Sequence, residues 1–293
     1  MDKFIDQAAI GSNSGGRPPG AFLGLLGPYC FALIEEKIFV MNIFVLVKQV
    51  PDTETRIKTK DAGIDEAGVK WIVSPFDEHA LEEALRQKEK TGATVTALSL
   101  GPERGADALR TAYALGVDNA IHIKDDSYNV LDIGYAAATL AAFLKTASPD
   151  VILCGHIAID SQSSMVPAMI AQHLGCANVN NAVELTLADG KVKARREIEG
   201  GLATVETATP AVVTAAKNLN DPRYPSLKGI MASKKKKIEV KEVSELGVEA
   251  PRVQVASTEP PPPRPPGRVI EGDSPEAKAK ELVRCLREEV KVI

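Results

Sequence analysis

The chain has few cysteines and nothing to organise them. Cys30, Cys154, Cys176 and Cys285 are the only four in 293 residues, and they lie far apart, with no CxxC and no Cys/His pair at ligand spacing. This argues against zinc, an iron–sulfur cluster and the disulfide framework of a secreted protein, and fits a reducing cytoplasm. No uninterrupted apolar run approaches the roughly 18 residues that a membrane-spanning helix needs. Excess charge of one sign is missing too. With a formal charge of −4 and 25% charged residues, the balance points neither to nucleic acid nor to insertion in, or adhesion to, an acidic membrane. A Gly-x-Gly-x-x-Gly turn, a Walker lysine, a Gly-x-Ser-x-Gly elbow and a Ser/His/Asp spacing are all absent, so no bond-breaking constellation is visible.

What is present is an ordinary globular composition, 44% apolar, enough for a buried core. Residues 1-40 stand apart. "RPPGAFLGLLGPYCFALIEE" is short, apolar and glycine-rich, but Asp2 and Asp6 precede it, no small-residue cleavage site follows Ala32, and the next segment opens with Met41. The expectation is a disordered extension ahead of a mis-assigned start, with "MNIFVLVKQV" as the true beginning.

From Met41 short apolar runs alternate with amphipathic stretches. "NIFVLVK" (42-48) is a near-continuous β-branched run of the kind covered on both faces. "DAGIDEAGVKWIV" (61-73) reads as a hairpin or irregular excursion. "SPFDEHALEEALRQKEKTG" reads as a helix, with Ala80, Leu81, Ala84 and Leu85 at helical spacing and Gly92 as its stop. Strand "ATVTALSLG", helix "RGADALRTAYALG", strand "NAIHIK", helix "LDIGYAAATLAAFLKTA" and strand "DVILCG" follow. This alternation predicts an α/β fold, a parallel Rossmann-like sheet with helices on both faces.

Ligands of such a sheet sit at the carboxyl ends of its strands. The most informative loop there is "GHIAIDSQSSM". It runs from the strand end at Cys154 and Gly155 through Asp160, Ser161, Gln162, Ser163 and Ser164 into a helix ending at Leu174. Backbone N–H groups at a helix start favour a phosphate. Capping by Ser163 or Asp160 explains the same residues equally well. His156 reads as a polar lining residue rather than a metal ligand, because no second His or Cys lies at ligand spacing.

After residue 175 apolar and polar residues alternate through turns at "ADG" and "EGG", a β meander. The tract "EPPPPRPPG" (259-267) is a stiff spacer before a last amphipathic helix, with Ser274 as cap, Pro275 at its first position and Leu282, Val283, Leu286 and Val290 as its apolar stripe. The expected organisation is thus an extension at 1-40, an α/β domain at 41-250, and a tether with terminal helix at 251-293.

"VKQVPD", "SPFDEHALEEAL", "GHIAIDSQSS", "REIEGG", "PAVVTAAKNLNDPRYPSLKGIMASKKKKIEV" and "LGVE" together resemble the β subunit of electron-transfer flavoprotein over about residues 41-250. The resemblance implies a heterodimer with an α subunit. FAD is held mainly on α and an AMP inside β. Electrons pass from flavin dehydrogenases of the acyl-CoA type to a quinone oxidoreductase, and the β chain breaks no bond itself. The family's AMP pocket falls here on Leu46, on Ser74, Pro75, Phe76 and Asp77, on Leu100, and on Gly155, His156, Ile157, Ala158, Ile159, Asp160, Ser161, Gln162, Ser163, Ser164, Met165 and Val166. Glu197 matches a position that meets the flavin domain of α and pairs with an arginine there. Leu227 matches the anchor of a recognition loop that enters an apolar pocket on the dehydrogenase; read without the family it is an ordinary exposed leucine. Lys234, Lys235, Lys236 and Lys237 would steer acidic dehydrogenase surfaces.

The resemblance has departures. The family's loop carries further acidic residues and a glutamine where this chain has Ser161 to Ser164, and Ala203 stands where a carboxylate or amide is usual, with Glu206 out of register. Relatives of the electron-bifurcating type hold a second FAD in this pocket and use NADH. A stand-alone adenine-nucleotide-binding module of similar fold is the reading of a different class.

Overall fold

The computed structural model describes residues 40–264 and 266–293, so the expectation for residues 1-40 falls, Val40 apart, outside them. Strand β1 (Asn42–Leu46) leads to β2 (Gln49–Pro51), the short β3 (Thr59–Lys60) and β4 (Gly63–Ile64), then β5 (Trp71–Val73) and helix α1 (Pro75–Thr91). Next come β6 (Thr94–Gly101), α2 (Ala106–Leu115), β7 (Asn119–Lys124), α3 (Ile133–Ala147), β8 (Val151–Gly155) and α4 (Val166–Leu174). There follow β9 (Ala177–Ala188), β10 (Lys191–Ile198), β11 (Gly201–Ala208), β12 (Ala211–Ala215), α5 (Leu227–Ser233), β13 (Glu239–Glu242) and α6 (Pro275–Arg284), which runs on into a π-helical turn over Cys285–Val290.

Nine strands form one sheet in the order β11-β10-β9-β12-β8-β1-β6-β7-β13. Neighbours from β9 across to β13 are parallel, whereas β9, β10 and β11 run antiparallel. The fold class is the expected α/β one. In β1, Ile43 and Val45 join the core under α1 and α2, while Phe44 and Leu46 join the core under α3 and α4. A strand covered on both faces has no place for polar side chains, which explains the unbroken apolar run. At the end of α1, Gly92 adopts a left-handed φ of 72° and its N–H bonds the carbonyl of Lys88, the stop expected of it.

Two segments differ from their sequence reading. The meander extends only over β9 to β11; "AVVTA" leaves it and enters the parallel part as β12, between β8 and β9. All five of its residues are buried, as a central strand requires and an outer meander strand does not. The segment at Leu227, expected to be a loop, is the start of α5. The Ser226 hydroxyl caps it by accepting from the N–H of Gly229 at 3.0 Å. The excursion before α1 is a hairpin of β3 with β4, flanked by β2 paired to β5.

At the carboxyl end, Ser274 caps α6 by accepting from Ala277 N–H at 3.2 Å. Leu282, Val283 and Val290 of its stripe stay exposed, uncovered by the described core.

Helix α5 lies against α2 so closely that a Cβ on Gly229 would overlap the carbonyl of Ala114. A backbone carbonyl cannot swing aside as a side chain can. Gly229→Ala is therefore expected to cost about 1–3 kcal/mol through overpacking, read as a lower urea midpoint at unchanged slope. An unchanged midpoint would contradict this packing.

Candidate functional site

From β1 the chain builds β6 and β7 on one side and later returns with β8 on the other, so the strand order reverses beside β1. Loops diverge at such a switch point and leave a crevice at the strand ends. Here it is an open cleft at the carboxyl ends of the strands. Leu46, Leu98, Leu100 and Cys154 wall it from the strand ends, and Ile133, Ala136 and Leu140 from α3. Burial pushes the Cys154 thiol far above its ordinary value, so it is an inert wall rather than a nucleophile.

Asp77, in the first turn of α1, builds the floor. Its Oδ2 accepts from the backbone N–H of Lys48 at 2.8 Å and its Oδ1 from that of Gly155 at 2.9 Å. One carboxylate thus ties the ends of β1 and β8 together. The fit leaves no room for a side chain at 155: a Cβ there would lie 2.5 Å from Asp77 Oδ1 and 2.8 Å from the Phe76 carbonyl carbon. Only glycine lets the helix start approach the strand this closely.

The rim is the loop 156–165. Gln162 and Ser164 take left-handed φ values of 51° and 53°, uncommon for residues with side chains. Helix α4 then begins at Val166 with Met165 at the N-cap position and no side-chain cap, so neither Ser163 nor Asp160 caps it. Asp160 binds Lys48 instead, its two oxygens 2.8 and 2.9 Å from the ammonium. Ser161, Ser163 and Ser164 face the cleft, and their hydroxyls join no hydrogen bond among the described residues. His156 stands edge-on to Phe76, ring centroids 6.2 Å apart, and its N–H extends β8 by donating to Ala215 O at 3.0 Å.

Of the residues singled out in the sequence, Leu46, Asp77, Leu100, Gly155, His156, Ile157, Ala158, Ser161, Ser163, Ser164, Met165 and Val166 line this cleft. Ile159 and Asp160 face a second, adjoining cleft. Ser74, Pro75, Phe76 and Gln162 line neither; Ser74 is fully buried behind α1, its N–H held by Lys48 O at 2.9 Å. Sequence reading missed Lys48, Tyr128 and the α3 wall. The one visible signal was a lone lysine directly after a doubly buried strand. The only described side chains close enough to share a metal are Glu281, Cys285 and Glu289, and both carboxylates there are already paired with Arg268 and Arg284.

Residues 61–246 match the family model described as electron transfer flavoprotein domain. The chain is 38% identical to the electron transfer flavoprotein subunit beta of Bacillus subtilis over 86% of its length and all of that protein. It is equally similar to the same subunit of Syntrophomonas wolfei, over 86% of this chain and 98% of the relative, and of Bos taurus, over 83% and 98%. The chain belongs to the electron-transfer flavoprotein β-subunit family. It is therefore an electron-transfer flavoprotein subunit, and membership implies an α partner. None of its described helices is long and apolar enough to cross a membrane.

In this β subunit the segment leading to Leu227 is tied to α1. Asn220 Nδ2 donates to His79 O at 3.0 Å and to Glu83 Oε2 at 3.2 Å, and Arg223 forks onto Glu82 and Glu89 at 2.7 and 2.6 Å. Beyond this anchor Tyr224, Leu227 and Met231 project, with Leu227 78% exposed. The lysine run is not uniform. All four are exposed, but among the described residues only the Lys236 ammonium is bonded to the body of the protein, donating to Val117 O at 2.8 Å over the Tyr113 ring. On β10, Glu197 accepts from Asn218 at 3.1 Å and Asn181 at 3.4 Å, while Glu206 pairs with Lys191 at 2.9 Å.

Burial raises the Asp77 carboxyl from its ordinary 3.8 to about 7, against the pull of its two backbone donors. Between those values the folded chain holds a proton that the unfolded chain has lost, so this group's contribution to stability falls as pH rises through that window. Asp77→Asn offers one acceptor oxygen and sets an NH2 against the other backbone N–H. It is expected to cost about 1–3 kcal/mol, with the gap to wild type wider at pH 5 than at pH 8. Urea midpoints at both pH values check this; an equal gap would contradict the raised carboxyl.

Proposed function

We propose that this chain is the β subunit of a heterodimeric electron carrier whose FAD is held mainly by α, and that the cleft beside Asp77 binds AMP. The observation that carries the nucleotide reading is the pairing, in one crevice, of an apolar wall with a helix-opening loop of unbonded serine hydroxyls. Leu46, Leu100, Ile133 and Leu140 suit an adenine ring. The N–H groups opening α4, with Ser163 and Ser164, suit its phosphate. Ser74, Phe76 and Asp77 serve the site by fixing the strand ends, and Ile157 and Ala158 by carrying the loop across the rim.

The carrier takes electrons from flavin dehydrogenases of the acyl-CoA type and delivers them to a quinone oxidoreductase. Docking to the dehydrogenase uses Leu227 as a single apolar anchor, held off α1 by Asn220 and Arg223. Lys234, Lys235 and Lys237 steer an acidic surface; Lys236, bonded inward, contributes less. Glu197, its carboxylate oriented by Asn181 and Asn218, pairs with an arginine of the α flavin domain.

A second reading, a bifurcating carrier with a second FAD in β and NADH as donor, draws on one feature. A further cleft adjoins the first and shares Lys48, Leu100, Tyr128 and Val130 with it. A dinucleotide seated by its adenylate half would have a continuous groove to extend into.

Co-expression with the α subunit, followed by release and quantification of nucleotides, separates the readings. One FAD and one AMP per heterodimer is expected. Two FAD without AMP would transfer support to the bifurcating reading, and no adenine nucleotide beyond the α FAD would overturn both. Leu227→Ala is expected to keep flavin content and slow flavin reduction by the dehydrogenase roughly tenfold or more, the loss typical of a central apolar anchor. Unchanged reduction kinetics would remove the anchor role.

A further inference from the structure

Among the described residues that line the first cleft, Lys48 is the only lysine or arginine. Its ammonium is not free. Both carboxylate oxygens of Asp160 lie on it, at 2.8 and 2.9 Å, with the two side chains only 22% and 16% exposed. The same carboxylate accepts from Ser161 N–H at 2.7 Å, within the loop that offers the phosphate donors. Asp77 below adds a carboxyl group, not a cation. Arg104, the nearest guanidinium of the adjoining cleft, is stacked on Trp71 at 3.5 Å and committed to Glu66 and Gln49. Among the described residues, His156 is the only other basic side chain on the cleft wall. A phosphate arriving here finds N–H and hydroxyl donors but no uncompensated positive charge.

We propose that Asp160 is an internal competitor for Lys48 and thereby sets how strongly this cleft favours a charged phosphate. This rests on the adenine-nucleotide reading above. A phosphate gains the ammonium only by displacing the carboxylate, and the displaced carboxylate then remains nearby and repels it. The adenosine moiety, held by the apolar wall, does not take part in that exchange. Asp160 is thus a specificity-determining residue: it lowers the share of affinity that comes from phosphate charge and leaves the share that comes from the base.

The test compares AMP with adenosine by titration calorimetry on the complex with the α subunit, freed of bound nucleotide by charcoal. Asp160→Asn keeps an acceptor for Ser161 and removes the charge. It is expected to tighten AMP about tenfold and to leave adenosine within about twofold, one partly shielded charge contact being worth about a factor of ten. Lys48→Met keeps the apolar stem and is expected to weaken AMP about tenfold while sparing adenosine. The double variant should return AMP to near the wild-type value. An unchanged ratio of AMP to adenosine affinity in Asp160→Asn, or equal weakening of both ligands, would mean that the carboxylate only holds the loop and would overturn the inference alone. Failure of the wild-type complex to bind either ligand would overturn the nucleotide reading with it.

Discussion

The cleft depends on one carboxylate. Parallel strands that feed loops in opposite directions separate at their ends, and the last backbone N–H groups are left without ladder partners. Asp77 fills both vacancies, taking Lys48 N–H just beyond β1 and Gly155 N–H at the end of β8. To reach them, the first turn of α1 must press against the end of β8, and the glycine at 155 is what that approach demands. The carboxylate sits buried to do this, and burial opposes its charge. A floor of this kind fixes the wall and rim relative to each other before any ligand arrives, which is the condition for a preformed site.

Helix α1 carries a second duty on its outer side. Glu82, only 4% exposed, receives both Arg86 and Arg223, and Glu83 and His79 receive Asn220. A buried carboxylate left without its arginine is costly, so the segment 220–223 is held at the helix and Leu227 is presented beyond it. The same seventeen residues thus bear the cleft at one end and the exposed leucine along one flank. Nothing in this arrangement requires the two to communicate; it places them on one element.

Much of the fold was legible because its signals are local. Doubly covered strands read as apolar runs, Gly92 reads as a helix stop, and "GHIAIDSQSSM" reads as a polar loop between a buried strand and a helix. The pairings that shape the site are not local. Lys48 and Asp160 are 112 residues apart, and nothing near either one names the other. In sequence Asp77 stands out only as a pocket residue of the family; only the packed strand ends show that its oxygens are spent on backbone. The return of "AVVTA" into the parallel sheet was hidden because a five-residue apolar run fits a meander or a central strand equally well. The four lysines look alike in sequence, and only the carbonyl of Val117 distinguishes Lys236. Family resemblance reached Leu227 where periodicity could not, since a single exposed leucine carries no pattern of its own.

The most direct measurement is an experimental structure of the heterodimer with whatever nucleotide it retains on purification. The expected result is an adenine ring against Leu46, Leu100 and Ile133, with its phosphate on the 156–165 loop at the start of α4, and Asp77 bonded to both strand ends. An empty cleft beside fully retained nucleotide elsewhere in the complex, or a ligand there with its phosphate turned away from that loop, would contradict it.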